Sequence, residues 1–253
     1  MRSRTFFIAC ALVLGCSRPA LATSIAIPPA ACTTGSLASY VALGAGGCSI
    51  PFADGVHVTD VVFFDFSFAV LASGGGAVPI TGAAITVTPS QLALNFSSAG
   101  FSVTGGQSVT YLLSYSVDPH PILKFFEDDL YTDTPVSPGF VNITTDLCIG
   151  GLYVGSTCSP PPLPLDPPQF TDSVIVFHNG TPFGSFQLQD ATSFPDVHYL
   201  GVRNTVTLDA SAGGSANFTS FSNVLATPEP ATLLLMGSGL LALGLSRRRR
   251  LLR

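Results

Sequence analysis

The stretch Val109-Thr110-Tyr111-Leu112-Leu113-Ser114-Tyr115-Ser116-Val117 decides the fold class. Its odd positions, Val109, Tyr111, Leu113, Tyr115 and Val117, form one apolar face opposite Thr110, Ser114 and Ser116. An interval of two is the side-chain repeat of a strand with one buried face. Leu92, Leu94 and Phe96 alternate with Ala93, Asn95 and Ser97 in the same way. Residues 61–71, with Phe63, Phe64, Phe66 and Phe68, are apolar in both phases and read as a central strand buried from both sides. That run is long enough for a helix, but its β-branched and Phe content decides for strand.

Working outward, further strands are expected at 84–88, 121–126, 140–147, 172–177, 185–189, 197–208 and 216–225, with Asn179-Gly180 as a hairpin turn. About ten short strands punctuated by Gly, Pro and Asn, with no soluble amphipathic helix, predict an all-β chain whose module is an antiparallel β-sandwich. Composition agrees. Charged residues make up 10% of the 253 and hydrophobic ones 47%, which is too apolar for a disordered chain and too poor in Lys, Glu and Arg for a helical one.

Charge is distributed unevenly. Eight of the ten basic residues lie near the two ends, leaving Lys124 and Arg203 against fourteen acidic residues between Thr23 and Thr227. No Lys/Arg cluster is available there to hold phosphates, so nucleic acid is excluded as a partner. Cys32, Cys48, Cys148 and Cys158 are an even set in an exported chain and read as two disulfides. Three pairings are open. The local one, Cys32 with Cys48 and Cys148 with Cys158, is favoured because each pair is close in sequence within Gly-rich, turn-like stretches, and each closure stabilises by roughly 3 kcal/mol in the chain-entropy model. A metal site is the other use of four cysteines, but no CxxC spacing occurs.

Catalytic motifs are not found: there is no GxSxG elbow, HExxH, P-loop or dinucleotide fingerprint, so no catalytic residue and no cofactor is assigned. Glu127, Asp128, Asp129 and Asp133 form the densest acidic group, readable as a Ca²⁺ site or as a solvated loop, and their spacing fits no calcium-loop pattern. A glycosidase needs a carboxylate pair, and the module has no Trp to stack on sugar. The Pro-rich segment 159–168 reads as a polyproline II ligand or as a stiff surface loop.

The ends carry the addressing. Arg2 and Arg4, the apolar run 6–15, and Ala20 and Ala22 compose a cleavable signal peptide over 1–22, cut between Ala22 and Thr23. The rival is a loose lipoprotein box ending at Cys16, with Leu14 where that box prefers a small residue. At the other end Thr227-Pro228-Glu229-Pro230-Ala231-Thr232 precedes an apolar stretch and Arg247, Arg248, Arg249 and Arg250. Proline fixes φ and restricts its predecessor, so Pro228-Glu229-Pro230 is held extended, as a peptidase substrate should be. Residues 231–246 make about 24 Å of helix, short against a hydrocarbon core of about 30 Å, with snorkelling arginines to bridge the deficit. The arginines stay cytoplasmic by the positive-inside rule, which puts the module outside.

This order of Pro-Glu-Pro, Leu/Gly-rich span and Arg cluster resembles the PEP-CTERM sorting signal, with Thr227 where the family usually has Val. The resemblance implies an exosortase-like membrane protease as partner, transient anchoring in the inner membrane, and association with exopolysaccharide at the cell surface or in the matrix. A plain type I anchor is the alternative reading of the tail and implies the same topology. Between the ends, Leu37-Ala38-Ser39-Tyr40-Val41-Ala42-Leu43-Gly44 leading to Cys48, and later Gly105-Gly106-Gln107-Ser108, resemble a recurrent type of PEP-CTERM ectodomain that implies no particular activity. The expected organisation is a signal peptide over 1–22, a β-sandwich ectodomain over 23–226 and a sorting signal over 227–253. The expected function is that of an exported surface or matrix protein; the alternatives are a carbohydrate- or protein-binding module and a secreted hydrolase.

Overall fold

A computed structural model of the protein describes residues 29–53, 58–119, 123–131, 138–160, 169–180 and 185–226. The signal peptide, the sorting signal, Asp133 and most of the Pro-rich segment lie outside the described residues.

The described residues open with β1 (Gly35–Ser36) and one short helix, α1 (Leu37–Val41), which Ser36 caps by accepting the Ser39 N–H. Then follow β2 (Cys48–Ala53), β3 (Val58–Gly74), β4 (Thr86–Ser90), β5 (Ala93–Ser97), β6 (Ser102–Thr104), β7 (Ser108–Pro119), β8 (Leu123–Tyr131) and β9 (Phe140–Ile149). The second half runs β10 (Leu152–Val154), β11 (Thr157–Ser159), β12 (Phe170–Asn179), β13 (Phe186–Gln187), β14 (Gln189–Val197), β15 (Leu200–Asp209), β16 (Ser215–Asn217) and β17 (Ser220–Ala226).

Most of these strands form two antiparallel sheets over one core, consistent with a β-sandwich. One has seven strands in the order β13-β12-β9-β15-β7-β3-β2, the other six in the order β1-β4-β5-β17-β8-β14. The alternation read in β7 points Val109, Tyr111, Leu113, Tyr115 and Val117 into the core, all of them buried. From the facing sheet come Phe96, Phe126 and Phe221. Tyr115 lies between the layers, 5.5 Å from Phe66 on its own sheet and 6.2 Å from Phe96 on the other, and Phe96 stacks on Phe221 at 5.0 Å. Aromatic pairs of this kind add about 1 kcal/mol each beyond their buried area.

The expectation for β3 needs correction. It is not a central strand covered on both sides but lies next to the edge strand β2, and Ala69, Val70 and Leu71 are exposed. What made it apolar in both phases is a bulge: Asp65 takes φ 52°, and between the pairs Phe64–Ser116 and Ser67–Ser114 two β3 residues, Asp65 and Phe66, lie opposite one on β7, Tyr115. The extra residue switches the inward phase, so Phe63 and Phe66, three apart, both reach the core. The runs 197–208 and 216–225 each divide in the fold. The first breaks at residues 198–199, where the chain leaves β14 in the six-stranded sheet for β15 in the seven-stranded one. The second breaks between β16, which pairs with β6 in a separate ribbon, and β17.

Cys32 is bonded to Cys48 and Cys148 to Cys158, the local pairing. The first fastens the chain ahead of β1 to the edge strand β2, where Cys32 and Ser49 also share a backbone hydrogen bond. The second ties the end of β9 to the β10–β11 hairpin.

Candidate functional site

Strand geometry separates the acidic group. Glu127, Asp128 and Asp129 sit on β8, a strand and not the expected solvated loop, so successive side chains leave on opposite faces. Asp128 points into the core and is fully buried, whereas Glu127 and Asp129 point away from it. The three carboxylates therefore do not converge, and among the described residues no cluster of three or more His, Cys, Asp or Glu could hold a metal ion.

Asp128 instead belongs to a polar set between the sheets, with Asn223 on its own sheet and Thr145, Asn204 and Tyr115 on the other. Its carboxyl contacts the Thr145 hydroxyl and accepts from Asn223 Nδ2. Asn204 Nδ2 donates to Asn223 Oδ1 at 3.0 Å, and the Tyr115 hydroxyl donates to the same oxygen at 2.9 Å. Burial pushes the Asp128 carboxyl up to about 7, against the pull of its hydrogen-bonding partners Thr145 and Asn223. Burial also raises the Tyr115 phenol well above its ordinary value. None of these partners was singled out as a site residue in the sequence, yet each carries a signal: Thr145, Asn204 and Asn223 occupy inward phases shared with Ile143, Val206 and Phe221.

A second constellation lies on the outer face of the seven-stranded sheet. The hairpin β10–β11, held by Cys148–Cys158, folds over β15 and encloses an open cleft of about 330 Å³ lined by Asp146, Tyr153, Ser156, Thr171, Ser173 and Arg203. Gly201 permits the approach, since a Cβ there would meet the Tyr153 backbone nitrogen at 2.9 Å. Arg203, directly across the register from Asp146, donates Nη2 to its carboxylate at 2.7 Å and Nη1 to the Ser156 carbonyl at 3.2 Å. Its guanidinium carbon lies 4.6 Å from the Tyr153 ring centroid. Carboxylate, guanidinium, phenol and hydroxyls side by side offer donors and acceptors in fixed positions. In the sequence the pointers were Arg203, one of two basic residues in the module, and a Gly-rich loop between paired cysteines.

Ala22, Thr23, Pro228, Glu229, Pro230 and Arg247 through Arg250 lie outside the described residues. The last described strand, β17, ends at Ala226 after pairing with β5 and β8 along its length.

No curated protein matches the chain. Among solved structures, one similar chain is TmCBM61 in complex with beta-1,4-galactotriose, at 12% identity and a TM-score of 0.29, covering 64% of this chain and 88% of that one. Residues 226–250 match the PEP-CTERM protein-sorting motif, so the chain carries that motif directly behind a β-rich domain.

Proposed function

We propose that the protein is exported behind its 1–22 signal peptide, held by a membrane helix over 231–246, cut by an exosortase, and so released from the membrane to the cell surface or matrix, in association with exopolysaccharide. A PEP-CTERM motif implies sorting to the surface and processing by an exosortase. The observation that supports the rest is positional: β17 completes its pairings by Ala226, and the motif begins there. Cutting in the Pro228-Glu229-Pro230 segment therefore removes the anchor and leaves the β domain with all its strands. No catalytic role is part of the proposal. The test follows the division of labour in the tail, in a host that has an exosortase. Glu229→Ala is expected to insert but accumulate uncut in the membrane, while serines in place of Arg247 through Arg250 remove the cytoplasmic stop and misplace the chain. Processing and release of both variants at wild-type levels would overturn it.

The Arg203 cleft favours one second reading, a carbohydrate-binding module. Its groups are a paired acid and base with neighbouring hydroxyls, suited to a neutral polyol more than to an ion. On a glycan array the processed protein is then expected to retain neutral oligosaccharides and Arg203→Ala to lose them. Equal retention by both proteins would exclude the cleft.

A further inference from the structure

The polar set between the sheets is closed enough for its protons to be counted. Thr145 Oγ1 lies 2.6 Å from Asn204 Oδ1 and also touches Asp128 Oδ2. A hydroxyl has one proton to give. The amides of Asn204 and Asn223 face each other reciprocally, Asn204 Nδ2 to Asn223 Oδ1 at 3.0 Å and Asn223 Nδ2 to Asn204 Oδ1 at 3.1 Å. The remaining Asn223 proton goes to Asp128 Oδ1. In this arrangement Asn204 Oδ1 takes the Thr145 proton, so the contact between Thr145 and Asp128 Oδ2 needs a proton from the carboxyl.

Turning the amides over relocates the deficit without removing it. The reciprocal pair requires both to turn together. Thr145 then accepts from Asn204 Nδ2 and donates to Asp128 Oδ2, but Asn223 Oδ1 now meets Asp128 Oδ1, oxygen against oxygen. Either way the set is one proton short unless Asp128 carries it.

We propose that Asp128 is held in the folded protein as a neutral carboxylic acid, a proton-dependent clasp between the two sheets that loosens as pH rises. The surroundings agree. On β8 its neighbour is Asp129, and across the register on β14 stands Asp190, which accepts the Ile175 N–H at 2.7 Å; both negative charges oppose a third. From β7 comes the Tyr115 phenol, kept neutral by burial, and β17 and β9 contribute the uncharged Asn223 and Thr145. On β15 the inward residue is the uncharged Asn204, while Arg203 leaves on the outer face and is held by Asp146.

The sign follows from linkage. The folded-state value, about 7, is raised above the ordinary 3.8, so the folded form binds the proton more tightly than the unfolded chain. The stabilisation is complete below about pH 4 and is lost as pH rises through about 7, at about tenfold in the folding constant per pH unit between the two.

Asp128→Asn in the full chain tests the clasp, because an amide NH₂ replaces the acid proton toward Thr145 and the amide oxygen still accepts from Asn223. Denaturant unfolding is measured for both proteins from pH 5 to 8, and the difference between them is read so that other titrating groups cancel. The expected result is a wild-type folding constant that falls relative to the variant, by about tenfold per unit up to about pH 7, with the variant at least as stable at pH 8. A variant that is weaker at pH 8, with a difference that does not change with pH, would mean that Asp128 is an ionised anchor and would overturn the proposal. The infrared spectrum of the wild type at pH 6 gives a reading that does not depend on the variant's folding: a protonated-carboxyl band that moves on ¹³C labelling of aspartate is expected, and its absence would equally overturn it.

Discussion

Position 204 illustrates how a single residue departs from an otherwise regular pattern. Along β15 the inward side chains are Val202, Asn204, Val206 and Leu208, all buried, and only the asparagine needs partners there. An unpaired buried amide costs about 1–3 kcal/mol, so its presence at the core phase requires the matching amide of Asn223 across the sheets. Close packing sets a second residue-scale constraint at Gly201, where a Cβ would lie 2.9 Å from the Tyr153 nitrogen and 3.2 Å from Cys148 Cβ. Gly201→Ala is expected to lift the β10–β11 hairpin from the sheet and cost about 1–3 kcal/mol, the usual penalty for overpacking. Urea unfolding measures the loss, and an unchanged midpoint would show that the hairpin does not rest on β15 as described. Neither constraint was legible beforehand, because a sequence shows the phase of a strand but not which strand it faces.

At the scale of elements the pattern was readable in proportion to burial. The inward face of β7 was legible because its apolar phase is unbroken over five positions, whereas that of β9 is interrupted by the buried Thr145. The stretch 190–196 of β14 was missed because the strand lies at an edge of its sheet, contains Pro195, and, among the described side chains, buries Phe194 and Val197 alone. In β3 the apolar content was read correctly and its meaning was not, since a bulge and an all-round buried strand produce the same two-phase pattern. The disulfides act on elements too. Cys148–Cys158 closes a separation of 10 residues around the hairpin, so Cys148→Ala should cost roughly 3 kcal/mol and leave the Cys158 thiol open to alkylation. Thiol labelling of the folded variant checks this, and a Cys158 that stays unlabelled in it would argue against the bond.

For the whole molecule, the two kinds of information in the chain had different legibility. The sorting tail is a linear signal of residue types in fixed order, so its chemistry survives without a fold and was visible directly. The candidate sites are assembled from strands far apart in sequence: Asp128 and Asn223 are separated by 95 residues, Tyr115 and Asn223 by 108. Only the register of both sheets brings them together. The same register relates the domain to its tail. β17 is an interior strand, flanked by β5 and β8, and it ends where the motif starts. A cut upstream of Ala226 would trim a paired central strand, whereas a cut a few residues later would cost the fold nothing.

The most direct measurement is therefore the C-terminal residue of the protein released from cells with and without an exosortase, read by intact mass. Exosortase-dependent release of a chain that ends just after Ala226, with all of β17 kept and the Arg cluster gone, is the predicted result. A released chain of the same length from both cells, one that still carries Arg247 through Arg250, or one that ends inside β17 would contradict the account.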